Sequence, residues 1–421
     1  MMALRLMLFG IMLLAFGQGS AQTALPKSSY PFVQWQKNNI QPKGSSSLHP
    51  FYALLDRLMF KGLGRINVVH FGGSHVQADI ISGRLRERLQ SFYPGNLGSR
   101  GLIFPYSIAK TNNPGNYSVK YSGSWSYAKN VQSSPAVPLG LTGMAVFTSD
   151  SGASLSISFP DYVKIKGDFN LLRIYEGAGS ENYDVIFQGE DSLPVAYREF
   201  RHPETHIREF FLEKHQSRLT LTILSRDSAR TPYILYGIQL ENEDPGITYH
   251  SIGVNGASTH SYLKCNLLGS HLAEIRPDLV LFGVGINDAA KGDLDVATFT
   301  NNYRKLIRQV RATNPQAAIL LLTNNDSYRS YRIRRRRVYT PNPNGELVRK
   351  IMHELAEIEG VAVWDLFEIM GGLGSAKIWE EHGLAQRDKV HFTFKGYRLL
   401  GDMMFEALLT DYQLYLKKRS E

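Results

Sequence analysis

The chain has 421 residues, a formal net charge of +9, and 43% hydrophobic and 20% charged residues. That balance excludes a disordered or low-complexity protein and leaves room for two folded domains. Cys265 is the single cysteine, which excludes an intrachain disulfide.

Residues 1–21 read as a cleavable secretory signal peptide. Arg5 supplies the positive start, Leu6 to Phe16 a short apolar core, and Gly19-Ser20-Ala21 the small residues before the cut. The apolar run is too short to span a bilayer, and no later stretch is long enough. The expectation is a periplasmic or secreted protein without a transmembrane segment. Gln22 to Ser47 reads as an extended lead-in, and Ser47 as the N-cap of a helix reaching Leu58, ended by Gly62 and Gly64. Ile66 to Phe71 is a short strand of the buried type. It breaks at Gly72-Gly73, Ser74 follows, and helical spacing resumes from Ala78 to Gln90 through Ile80, Ile81, Leu85 and Leu89. Strand, tight turn and helix in succession display a side chain at the carboxyl end of a parallel sheet.

From about Gly101 to Glu243 the pattern changes to short alternating runs at 153–159, 170–175, 183–187, 219–224 and 233–240, with turn residues between them. This period of two predicts an inserted antiparallel β-sandwich. The α/β signal returns from His250. A helix capped by Ser258 or Thr259 and ending before Pro277 places Cys265 at a buried helical position. Strands at 279–284, 317–323 and 361–364 alternate with helices at 298–312 and 346–359, and a last helix runs from Phe394 to about Leu414. The expected fold is α/β, a parallel sheet sandwiched by helices, with an inserted antiparallel β-sandwich domain. The divisions are 22–100 and 247–421 for the two parts of the α/β domain and 101–246 for the insert. Much of the positive charge sits in Arg332-Ile333-Arg334-Arg335-Arg336-Arg337. Export makes nucleic acid a poor partner, so this run reads as a solvated loop near an anionic polymer of the envelope. The sequence sets no oligomeric state.

Four short pieces carry candidate chemistry. Ser74 reads as a nucleophile on its turn or as the N-cap of the helix after it. Gly253-Val254-Asn255-Gly256-Ala257 either brings a backbone N–H to a developing oxyanion or is an ordinary strand-to-helix turn. Asn287, after the strand and Gly285, is a side-chain oxyanion donor or an Asx-turn residue, with Asp288 bracing the loop. Asp388 and His391, three apart before the last helix, allow the carboxylate to reach one imidazole nitrogen while the other faces Ser74; the alternative is a solvated loop histidine. His70, His75 and His260 read as supporting or core residues, because they lack the spacing and carboxylates of a metal site.

These pieces, in this order, resemble the SGNH (GDSL-like) hydrolase superfamily. The resemblance implies Ser74 as nucleophile, Asp388 and His391 as its triad partners, and an oxyanion hole from Ser74, Gly256 and Asn287, with Gly253 as the other alignment for the glycine. It implies no metal and no organic cofactor. The first block is Gly72-Gly73-Ser74 where the family usually has Gly-Asp-Ser, so the carboxylate that braces the nucleophile turn is missing. The long β insert between the first and second blocks resembles the arrangement of peptidoglycan O-acetylesterases, whose insert is similar to a carbohydrate-binding module. The function implied is an exported serine esterase acting on an O-acetylated polysaccharide. The alternative is a carbohydrate-binding or envelope-scaffold protein with a degenerate site, favoured by Gly73.

Overall fold

The computed structural model describes residues 25–160, 163, 168–226, 231–290 and 292–420. The signal-peptide reading of residues 1–21 lies outside them. Six strands form the central sheet: β1 (Ile40–Gln41), β2 (Arg65–Gly72), β3 (Gly246–Gly253), β4 (Leu279–Gly283), β5 (Ala318–Leu322) and β6 (Ala362–Trp364), in the order β1-β6-β5-β4-β2-β3. Every pairing is parallel except that of β1 with β6.

Both faces of this sheet are covered, which is why its strands read as nearly continuous apolar runs. Successive side chains point to opposite faces. Val68, Leu281, Leu320 and Trp364 join one buried cluster with the helices His49–Lys61, Ile81–Ser91 and Phe394–Ser420. Val69, Phe71, Val280, Phe282 and Leu321 join the other, with the helices Val296–Thr313 and Asn344–Glu359. The register sets up the site. Gly72 of β2 lies beside Gly253 of β3 and beside Gly283 of β4. The three chain segments that leave the sheet at these glycines therefore emerge together.

Two further sheets, both antiparallel, occupy the sequence between β2 and β3. One has seven strands: Gly101–Ile103, Ser126–Lys129, Met144–Thr148, Phe169–Glu176, Tyr197–His202, Ile207–Gln216 and Tyr233–Glu241. The other has four: Ser118–Ser122, Ser154–Ser158, Tyr183–Gln188 and Arg218–Ser225. Phe187 of the smaller sheet meets Phe210 of the larger edge to face, with ring centroids 4.8 Å apart.

Several expectations need correction. The helix expected from Ala78 to Gln90 runs from Ile81 to Ser91, and a separate short helix, Ser74–Gln77, precedes it. They are separated at Asp79, whose φ of 48° no helix accommodates. The helix after Ser258 is two, Thr259–Leu263 and Leu268–Ile275, and Cys265 is buried in the break between them rather than inside a helix. Ser258 is the cap, in a reciprocal box with Ser261. Ser47 caps nothing: Leu48 holds that position, and no side chain bonds the helix end. The lead-in supplies β1 and lodges Asn38, which accepts a 2.9 Å hydrogen bond from the Trp364 indole. The arginine run is a two-stranded ribbon, Tyr328–Ile333 with Arg336–Pro341, rather than a loop. His260 is exposed rather than in a supporting or core place.

Candidate active site

Three turns and one loop meet at the carboxyl ends of β2, β3 and β4. Gly72 accepts hydrogen bonds from the Val254 N–H and, at 2.7 Å, from the Tyr262 hydroxyl, which locks the β2 exit against the β3 exit. Gly73 takes the N-cap position and Ser74 opens the helix Ser74–Gln77. The Ser74 hydroxyl makes no cap bond. It lies 2.8 Å from His391 Nε2 instead, so the N-cap reading of this residue does not hold. As the first helical residue, Ser74 has a backbone N–H with no acceptor inside the helix.

Asp388 and His391 share one turn before the last helix. Asp388 Oδ2 is 2.7 Å from His391 Nδ1, while Oδ1 accepts the backbone N–H groups of Val390 (2.9 Å) and His391 (3.0 Å). The carboxylate thus builds the turn and orients the imidazole in one stroke. Burial pushes the Asp388 carboxyl up, but the His391 ring and the two backbone donors outweigh it and hold the group down at about 2. The His391 and Asp388 side chains remain 35% and 44% exposed, so an incoming molecule can reach them. Asn325 Nδ2 donates to Val390 O at 3.0 Å and pins the turn from below.

Asn287 lies in the short helix Ile286–Ala289, which begins after Gly285 at φ 140°, a conformation that L side chains rarely adopt. A Cβ at Gly285 would also come within 2.9 Å of Asn324 Oδ1. The Asn287 amide donates to Ala257 O at 2.9 Å, which fixes it beside the Val254–Ala257 turn. Asp288 braces that arrangement by accepting the Thr259 N–H (3.1 Å) and hydroxyl (2.7 Å). Gly256 is exposed in the same turn with φ 81°. Gly253, the other alignment for the glycine, is packed under the Ser74 helix: a Cβ there would lie 2.1 Å from Gln77 N. Its small size serves that packing. A Cβ at Gly73 would come within 3.0 Å of Asn287 Nδ2, so any side chain there must move the amide by a few tenths of an ångström.

A buried ionic cluster lies just past the Ser74 helix. Asp79, two residues past the Ser74 helix and buried, bonds Arg86 Nη2 (2.9 Å), Arg100 Nη2 (3.0 Å), Asn116 Nδ2 (2.7 Å) and Ser82 Oγ (2.6 Å). Burial pushes its carboxyl up, but Arg86 and Arg100 override that and keep it well below the usual carboxylate range. Burial in turn lowers the Arg100 guanidinium to about 10. From the other side, His75 Nδ1 lies 2.7 Å from the Tyr397 hydroxyl on the last helix. Burial and the neighbouring His391 ring lower His75 to about 3, so it stays neutral beside His391. The cluster mixes near and remote partners: Ser82 and Arg86 follow Asp79 by 3 and 7 residues, Arg100 and Asn116 by 21 and 37. Among the described residues, no group of three or more His, Cys, Asp or Glu could hold a metal ion, and no helix is long and apolar enough to cross a membrane.

The arrangement is able to take a proton from Ser74, pass it along His391, and stabilise negative charge near the Ser74 N–H, Gly256 and Asn287. The model of the GDSL-like lipase/acylhydrolase family matches residues 225–399, a stretch that includes Gly256, Asn287, Asp388 and His391 but not Ser74. Among solved structures, a peptidoglycan O-acetylesterase aligns with a TM-score of 0.70 at 21% identity, over 89% of this chain and 99% of that one. The lipase/acylhydrolase from Enterococcus faecalis aligns at 21% identity and a TM-score of 0.27, over 39% of this chain and 76% of its own. A family two carbohydrate esterase from Cellvibrio japonicus aligns at 11% identity and a TM-score of 0.28, over 71% of this chain and 99% of its own. No curated protein matches the chain. Residues 225–399 thus match the GDSL-like lipase/acylhydrolase family model, and the fold is shared with a solved peptidoglycan O-acetylesterase.

Proposed function

We propose that the protein is an exported serine esterase that removes O-acetyl groups from a polysaccharide, with Ser74, His391 and Asp388 as its triad. The observation that carries the proposal is the closed relay: 2.8 Å from Ser74 Oγ to His391 Nε2 and 2.7 Å from His391 Nδ1 to Asp388 Oδ2. Ser74 Oγ attacks the acetyl carbonyl carbon as its proton passes to His391 Nε2. The Ser74 and Gly256 N–H groups and the Asn287 amide receive the oxyanion. Collapse breaks the bond to the sugar oxygen, which takes the proton from His391 and leaves. Water, deprotonated by His391, then attacks the acetyl-Ser74 carbonyl; acetate is released and Ser74 regains its proton.

Export rests on residues 1–21. The choice of substrate rests on the fold shared with the peptidoglycan O-acetylesterase and on the two antiparallel sheets, which we read as an inserted β-sandwich for carbohydrate. We assign that insert to 101–246. The rival, a binding or scaffold protein with a lapsed site, is favoured by Gly73. The closed chain of Ser74, His391 and Asp388 speaks against it. Acetate release from a panel of O-acetylated glycans tests the proposal. The wild-type chain should release acetate from at least one, and Ser74→Ala from none. Release by the variant at the wild-type rate would reject it.

A further inference from the structure

The ribbon Tyr328–Ile333/Arg336–Pro341 is built at a cost that packing does not explain. Its turn residues Arg334 and Arg335 both have positive φ, 44° and 70°. Such turns ordinarily take Asn-Gly or Gly-Gly, since a residue with a side chain is strained there. Arg332 stands directly opposite Arg337 across the ribbon. Like charges so placed repel. Residues 331–337 are all exposed, and among the described residues no carboxylate pairs with Arg332, Arg334, Arg335, Arg336 or Arg337.

The base of the ribbon is stitched to the catalytic turn. The Tyr328 N–H donates to Lys389 O at 3.1 Å, and Lys389 lies between Asp388 and His391. The Lys389 ammonium sits over the Tyr339 ring at 4.7 Å and near the Tyr328 ring at 5.9 Å. Opposed pairs of a ribbon share a face and the faces alternate. Tyr328, the Ser330–Tyr339 pair and the Arg332–Arg337 pair therefore lie on one face, the face laid against the Asp388–His391 turn. The arginine pair stands about 14 Å further out along the strands.

The geometry points to this ribbon as a binding arm for a polysaccharide that carries carboxylates, held by the opposed Arg332 and Arg337. Guanidinium groups match carboxylates in paired hydrogen bonds, and an anion between two arginines turns their repulsion into attraction. The arm takes hold of the chain whose acetyl group reaches Ser74; in that respect the inference rests on the esterase reading and adds anionic character to its substrate. Tyr331 and Ile333, 46% and 51% exposed, lie on the opposite face, so a lipid surface would engage the ribbon the other way round.

The test is binding of the full chain to polygalacturonate, to dextran and to phosphatidylglycerol vesicles. The wild-type chain should bind polygalacturonate, less tightly as salt is raised, and should not bind dextran. R332Q/R337Q should bind polygalacturonate about three- to tenfold more weakly, as expected for two exposed ion pairs, and R332K/R337K should keep more of the binding because it keeps the charge. The melting temperature of R332Q/R337Q should be no lower than that of the wild type. Polygalacturonate binding indifferent to the double substitution would overturn the assignment. So would equal binding to dextran, or binding to the vesicles alone, which would assign the arm to a lipid surface. Arginine-dependent binding without acetate release from any glycan would leave the arm standing and sink the esterase reading alone.

Discussion

Asp79→Asn is the substitution whose cost the structure allows to be worked out. The change keeps the volume of the side chain and removes its charge. It leaves Arg86 and Arg100, 9% and 7% exposed in their side chains, without the carboxylate that each meets within 3.0 Å. Removing one partner of a buried ion pair costs about 3–5 kcal/mol, because the remaining charge is stranded away from water. For a chain of 421 residues the unfolding entropy is about 0.9 kcal/mol/K. The loss should therefore lower the melting temperature by about 3–6 °C, measured by circular dichroism or calorimetry. It should persist at high salt, since a buried cluster is poorly screened. Ester hydrolysis should fall as well, because Ser74–Gln77 runs directly into Asp79. A melting temperature within about 1 °C of wild type, or a loss that salt abolishes, would show that this cluster does not brace the nucleophile turn.

Asn287→Ala should lower kcat about 10²–10³-fold with KM little changed, as for the loss of one oxyanion donor; steady-state kinetics on a chromogenic acetyl ester reads it directly. Acid should destabilise the fold through His70, His250 and His271. Burial lowers all three, to about 4, 3 and 3, with Arg173 and Arg100 adding to the effect at His250 and His206 at His271. His250 and His271 accept the Leu102 and Leu141 N–H groups, each at 3.2 Å, as neutral rings do. The unfolded chain protonates these rings below about 6.5, so their stabilisation is whole above that pH and is lost as pH falls towards 4. The loss is about 2 kcal/mol for each by pH 5. Urea unfolding at pH 7 and pH 5 measures it, and His271→Gln should flatten the slope.

The strands of the central sheet were legible because burial on both faces leaves them uninterrupted apolar residues, as at Leu279–Gly283. The turns that carry Ser74, Asn287, Asp388 and His391 were legible because each follows a strand or precedes a helix. Six strands of the insert escaped notice. Tyr197–His202 is one of them, mostly exposed and so without an apolar alternation to betray it. The ribbon was hidden because arginines stand where hairpin turns ordinarily advertise themselves with Asn-Gly. The Asp79 cluster was beyond reach for another reason. Arg86 is only seven residues from Asp79, but Arg100 and Asn116 reach it from 21 and 37 residues on, and only the tertiary fold sets that proximity.

The central claim is that His391 activates Ser74, and covalent labelling tests it most directly. A fluorophosphonate probe reacts with an activated serine, and peptide mass spectrometry locates the adduct. The account predicts one adduct on Ser74 in the wild-type chain and almost none in His391→Ala. An unlabelled Ser74 in folded wild-type protein, or equal labelling when His391 is replaced, would contradict it.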